Sequence, residues 1–167
     1  MGRDLSTRKK IRLQGHDYAQ AGYYFVTICV KDRHEMLWEH APVGARIARP
    51  LSPIGEVVKN TIENISVVYR AVCVDKYVVM PNHIHMIIRI ENSGQRVDKG
   101  HGRAMRAPTI STVVNQFKGY ATKQIGFSIW QKLFHDHIIR SEAEYQKIWR
   151  YIDENPANWQ DDCYFTK

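Results

Sequence analysis

Two runs of strand-forming residues, 68–80 and 83–90, are separated only by Pro81-Asn82. A connection this short joins antiparallel neighbours, so the sequence predicts a hairpin here. In the second run Ile84, Met86, Ile88 and Ile90 alternate with His83 and His85. Successive side chains of a strand point to opposite faces, so the aliphatic row is the expected core face and the histidines share the other. On this pattern the histidines look away from the packed interior. Their α-carbons are expected roughly 6.5–7 Å apart, close enough for two imidazoles to share one metal ion. His135-Asp136-His137 has the same spacing. Because His-x-His is short, spacing alone favours ordinary surface histidines over ligands, and it does not choose between the two pairs.

The other elements follow from residue pattern. Residues 23–30 are rich in β-formers and read as a strand, and 31–51 read as irregular. Ser52-Pro53 pairs a capping residue with proline at the first helical position. Ile54, Val57, Val58, Ile62 and Ile65 then form a stripe at helical spacing. A second helix is expected over 109–125 on Ile110, Val113, Val114, Phe117 and Ala121, and a fourth strand over 130–140. Ser141 with Glu144 has the form of a capping box and opens a third helix, which Asn155-Pro156 ends. The order strand, helix, strand, strand, helix, strand matches the ferredoxin-like motif. The expected fold is therefore α+β: a ferredoxin-like four-stranded antiparallel sheet with packed helices and an added C-terminal helix. One domain is expected over 1–167, with a basic N-terminal arm at 1–22 and a flexible, Gly-rich basic loop at 92–108.

Charge bears on the partner. The chain carries 24 Lys plus Arg against 17 Asp plus Glu, a net +7. A basic domain points to a polyanion, most commonly nucleic acid, although charge alone fits a merely soluble basic protein as well. Cys29, Cys73 and Cys163 form no CxxC pair, the usage of a cytosolic protein with free thiols. No apolar signal region follows the charged start, and no apolar run approaches the roughly 20 residues that span a bilayer. The expected location is cytoplasmic, without membrane insertion.

Two tyrosines compete as nucleophile. Tyr120 precedes Gln124 by four residues, and Tyr151 precedes Asn155 by the same step. Positions i and i+4 share a helix face, so either tyrosine could bring an amide to a metal site. Tyr120 falls on the edge of the stripe made by Phe117 and Ala121, which assigns it to core packing. Tyr151 lies beside the stripe of Tyr145, Ile148, Trp149 and Ile152, which favours it mildly.

His83-Ile84-His85, following Tyr77-Val78-Val79-Met80-Pro81-Asn82, resembles the His-hydrophobic-His motif of the single-tyrosine transposases of insertion sequences. Within that group the chain is most similar to the REP-associated tyrosine transposases. Further blocks carry the same resemblance: Gly15-His16-Asp17-Tyr18 with residues 22–29, then Phe117-Lys118-Gly119, then Trp130 with His137-Ile138-Ile139-Arg140, then residues 151–156 with Trp159. The resemblance implies Tyr151 as nucleophile and His83, His85 and Asn155 as metal ligands; related transposases have glutamine where Asn155 stands. Mg²⁺ or Mn²⁺ suits imidazole, amide and phosphate oxygens together. The implied activity is cleavage and rejoining of single-stranded DNA through a 5′-phosphotyrosine. The implied target is a single-stranded end beside a hairpin, and a homodimer can pair the tyrosine helix of one subunit with the histidines of the other. Arg96, Lys99, Arg103 and Arg106, with Lys9, Lys10 and Arg12 of the arm, are the candidate DNA contacts, and a solvated charged surface fits them equally. Two other readings stand beside this one: a non-catalytic nucleic-acid-binding module, and a metal-dependent phosphodiesterase that uses water.

Overall fold

The hairpin expected around Pro81-Asn82 forms and supplies one edge strand and one inner strand of the sheet. In a computed structural model, residues 20–39, 50–91 and 108–165 are described. Strands β1 (Gly22–Cys29), β2 (Val72–Val79), β3 (His83–Ile90) and β4 (His135–Ile139) lie in the order β2-β3-β1-β4, every neighbouring pair antiparallel. Helix α1 (Pro53–Glu63) and the short α2 (Ile65–Val68) connect β1 to β2, α3 (Ile110–Ile125) precedes β4, and α4 (Glu142–Glu154) follows it. This is the ferredoxin-like arrangement with one helix added. The arm residues Lys9, Lys10 and Arg12 and the loop residues Arg96, Lys99, Arg103 and Arg106 lie outside the described residues. Among the described residues no helix is long and apolar enough to cross a membrane.

Two boundaries differ from the sequence reading. The second strand begins at Val72, because Ile65–Val68 add a helical turn capped by a backbone bond from Tyr69 N to Ile65 O. Val67 and Val68 are exposed there, so their β-branching reflects no buried strand. The fourth strand shrinks to five residues; Trp130 makes only an isolated bridge to Val30.

Local chemistry sets the helix starts. The Ser52, Thr109 and Ser141 side chains accept from the backbone N–H of Gly55, Thr112 and Glu144, each worth about 1 kcal/mol. Gly55 allows α1 to touch the segment before it: a Cβ there would stand 2.0 Å from the Leu37 carbonyl oxygen. Gly126 ends α3 at φ 93, a left-handed position that favours glycine.

The sheet has two covered faces. On one, Val26, Ile28, Ile84, Met86 and Ile88 pack with Val58 and Ile62 of α1 and Val113 and Phe117 of α3. On the other, Ile87 and Ile139 pack with Ile152 of α4, beside Phe25, Val78 and Trp149. A third cluster joins Trp38, Met80 and Trp159. The second face is the one that carries the histidines, so α4 and the segment after it lie over them. Lys76, next to a bulge in β2, pairs with Asp153 and sits 4.7 Å from the Trp149 ring centre, which ties α4 to the sheet.

Candidate active site and metal centre

His83 and His85 do not look out from the sheet. Their exposures are 0% and 1%, because Trp159 and Tyr164 return over the non-core face: the His83 ring lies 4.5 Å from the Tyr164 ring and 5.9 Å from the Trp159 ring. A strand pattern assigns faces correctly but says nothing about what else covers a face.

Each imidazole is oriented through its Nδ1. Asn82, itself buried, donates through Nδ2 to the carbonyl oxygens of Arg33 (3.2 Å) and Tyr164 (2.9 Å). Those two bonds fix the amide, leaving its Oδ1 as acceptor 2.9 Å from His83 Nδ1. The proton of neutral His83 is therefore on Nδ1, and Nε2 carries the lone pair. His85 Nδ1 lies 2.8 Å from Thr27 Oγ1. The two Nε2 atoms face each other at 2.9 Å, a separation that needs a proton or a cation between them. Burial, and then the Arg33 charge, push the pKa of His83 down to about 3. Burial and then His83 do the same to His85, also to about 3, against the opposing influence of Asp162. Both rings are neutral near pH 7, the state a metal requires.

Asp162 completes the group. Its carboxylate, His83 and His85 offer ligand atoms that all lie within 4.8 Å of one another. Nothing in the sequence pattern singled out Asp162. It follows the helix-ending Asn155-Pro156 in a stretch without periodicity, and its one signal is an acidic pair, Asp161-Asp162, set between Trp159 and Tyr164. The chain returns because Trp159 joins the Trp38–Met80 cluster and because Asn82 and Arg33 bind the Tyr164 and Cys163 carbonyls.

Tyr151 belongs to this group. It is 40% exposed, off the apolar stripe of α4, with its hydroxyl 3.2 Å from His85 Nε2 and 3.4 Å from Asp162 Oδ2. Burial, and then the Asp162 charge, push its pKa up to about 12. Asn155, at the C-cap of α4, is 3% exposed, and neither polar atom of its amide meets a partner in good hydrogen-bond geometry among the described residues, although the amide is near enough to the Tyr151 phenol to act against the rise in its pKa. Buried amides are rarely left in that condition. Tyr151, Asn155 and Asp162 line one cavity of about 110 Å³ together with Glu154, Asn158 and Asp161. The donor set and the orphaned amide both fit a divalent cation: two neutral imidazole lone pairs, a carboxylate and an amide oxygen.

The competing residues are elsewhere. Tyr120 is 52% exposed rather than packed in the core. Helix α3 covers the opposite face, where Phe117 and Ala121 join the cluster of Ile84, Met86 and Ile88, so the sheet separates Tyr120 from the histidines. His135 and His137 are exposed on the edge strand β4, and His137 Nε2 pairs with Glu144 at 2.6 Å.

No family model matches the chain. A protein of Haemophilus influenzae without an assigned function is 35% identical over 168 residues, covering 93% of this chain and 91% of the relative. A second protein of that organism, provisionally named a REP-associated tyrosine transposase, is 22% identical over 84% of this chain and 73% of its own length. Among solved structures, a REP-associated tyrosine transposase bound to a REP hairpin superposes with a TM-score of 0.62 at 20% identity, covering 86% of this chain and 72% of that one.

Proposed function

We propose that the chain, similar in sequence and fold to REP-associated tyrosine transposases, acts as one of them and cleaves and rejoins single-stranded DNA through a covalent 5′-phosphotyrosine on Tyr151. The observation that carries this reading is the placement of the Tyr151 hydroxyl 3.2 Å from His85 Nε2, beside the one cluster of described residues able to hold a metal ion. His83 and His85 are the proposed metal ligands, with Asn155 as a further one; Asp162 is a ligand candidate from its position. A divalent ion, Mg²⁺ or Mn²⁺, would polarise the scissile phosphate and offset the Asp162 charge that opposes phenolate formation.

The chain's own residues supply the rest. Tyr151 is protonated at neutral pH, so its proton has to leave as the oxygen attacks. His85 Nε2 is nearer at 3.2 Å, but its lone pair is assigned to the metal, so Asp162 Oδ2, at 3.4 Å, is the remaining base within reach. The new bond joins the phenol oxygen to phosphorus, and the bond from phosphorus to the 3′ oxygen breaks, releasing a 3′ hydroxyl once that oxygen takes up a proton. The phosphodiester energy is kept in the phosphotyrosine for rejoining. Tyr151 and His85 meet within one chain, so a homodimer, where one forms, is not needed to bring a tyrosine to the histidines. Incubating the protein with single-stranded DNA and Mn²⁺ and looking for a denaturant-resistant protein–DNA adduct tests the reading. Cleavage without adduct would favour the water-using phosphodiesterase. The binding-module reading needs a sheet face open to nucleic acid, and α4 covers the face that its exposed aromatics would use.

The relative solved with a REP hairpin supports a hairpin partner beside the single strand. Arg96, Lys99, Arg103 and Arg106, with Lys9, Lys10 and Arg12, are proposed to contact it. Neutralising the four loop residues should weaken hairpin binding and make its salt dependence shallower, by roughly 0.7–0.9 in log–log slope for each phosphate no longer neutralised. Anisotropy titrations across a salt series measure this; an unchanged slope would reduce the loop to solvated surface.

The residues behind the imidazoles give a separate check. Asn82→Ala removes the acceptor that holds the His83 proton on Nδ1, and Thr27→Val removes the hydroxyl beside His85 Nδ1. Outer partners of this kind are worth roughly 10–100-fold in metal affinity. Calorimetric titration with MnCl₂ should show that weakening in both variants, and wild-type affinity in either would make its hydrogen bond incidental to the site.

A further inference from the structure

We infer that Arg33 is a substrate-binding residue of this site, its guanidinium holding a phosphate of the DNA strand that Tyr151 attacks; this rests on the phosphodiester reading above. Nothing in the residue pattern distinguishes Arg33 from any other surface arginine. Its backbone does. Asp32 and Arg33 both sit in the left-handed region, at φ 55 and 56, although neither is glycine. Consecutive non-glycine residues there are held by their surroundings rather than by preference, and such positions cluster at functional sites. Here the holding bonds run from Arg33 N to Val30 O (3.1 Å) and from Asn82 Nδ2 to Arg33 O (3.2 Å). The same Asn82 orients His83, so one amide fixes both the candidate ligand and the strained turn.

The turn sends the guanidinium to the rim of the site. It lies 5.4 Å from the Tyr164 ring centre, and that ring is 4.5 Å from His83 and 5.9 Å from His85. Its charge reaches His83, where it is the second cause, after burial, keeping that ring neutral. Among the described residues its guanidinium makes one hydrogen bond, to the Cys163 carbonyl at a long 3.4 Å, and no carboxylate pairs with it. Arg89, by contrast, is bound by Asp75 and Glu91, and Lys76 by Asp153. The site residues proper are two neutral imidazoles, a protonated phenol and the Asp162 carboxylate, and among the described residues the positive charge that reaches His83 is that of Arg33. A planar fork of N–H donors suits a phosphodiester.

The test uses the full chain carrying Tyr151→Phe, so that bound DNA is not consumed, and a fluorescein-labelled single strand of mixed sequence with Mn²⁺. Arg33→Gly removes the guanidinium while tolerating φ 56, and Arg33→Lys keeps the charge. Arg33→Gly should raise Kd several-fold and lower the log–log salt slope by about 0.7, the value of one single-strand phosphate. Arg33→Lys should restore the slope, and Mn²⁺ affinity measured without DNA should match the parent in both. Wild-type affinity and slope in Arg33→Gly would overturn the inference. If protein with Tyr151 intact forms no adduct while Arg33→Gly still flattens the slope, the phosphotyrosine reading falls and the phosphate contact stands.

Discussion

Tyr151→Phe is expected to abolish both strand cleavage and the covalent adduct while leaving the fold and DNA binding nearly unchanged. The substitution removes one oxygen from a side chain that is 40% exposed, and among the described residues that oxygen makes long hydrogen bonds, at 3.2 and 3.4 Å. Bonds of that kind contribute no more than about 1 kcal/mol, so the variant should melt within a few degrees of the parent. The chemical loss is of another order, because removing a nucleophile costs on the order of 10⁶-fold. Asp162 and His85 lie beside the missing oxygen, but neither replaces it, since one is the candidate base and the other a candidate ligand. Tyr120→Phe should retain the adduct, because α3 holds Tyr120 on the far side of the sheet. Mass mapping of trapped adduct should find the nucleotide on the peptide containing Tyr151. An adduct on the Tyr120 peptide, or cleavage by Tyr151→Phe without any adduct, would overturn the mechanism.

What the sequence revealed followed from periodicity and from capping. The strand alternation of His83–Ile90, the Ser52-Pro53 start and the Ser141 cap are local features, and the structure reproduces all three. The face shared by His83 and His85 was legible for the same reason. Their burial was not, because it comes from Trp159 and Tyr164, which are distant in sequence and reach the sheet only after α4. Tyr120 shows the complementary limit: a position on the edge of an apolar stripe is decided by how wide the groove beneath the helix is, and here the core stops at Phe117 and Ala121. Asp162 lay beyond reach altogether, since its meaning depends on a chain reversal that Asn82 and Trp159 stabilise from other elements.

The same burial determines how the metal site has to be tested. Truncating His83 or His85 to alanine would open a cavity under Trp159 and Tyr164, and large-to-small changes in such places cost roughly 2–5 kcal/mol. Loss of activity in those variants would then mix misfolding with loss of ligands. His85→Gln keeps polar bulk, and Asp162→Asn keeps shape while removing charge. The informative quantity is the stabilisation by metal measured within each variant. A ligand that binds only the folded state adds about 2.7 kcal/mol at a concentration roughly 100 times its Kd, a rise of several degrees for a domain of this size. Wild-type protein should show that rise with Mn²⁺, and His85→Gln should lose most of it, because one of two facing Nε2 donors is gone. Asp162→Asn should also lose much of it. In that variant the anion that raises the Tyr151 pKa is removed as well, so its phenol should titrate at lower pH than in metal-free wild type, a shift readable by ultraviolet difference spectroscopy. Equal Mn²⁺ stabilisation in wild type, His85→Gln and Asp162→Asn would place the metal elsewhere. The exposed His135 and His137 on β4 would then be the pair to replace next, and stabilisation lost only in His135→Ala and His137→Ala would move the centre to that edge of the sheet.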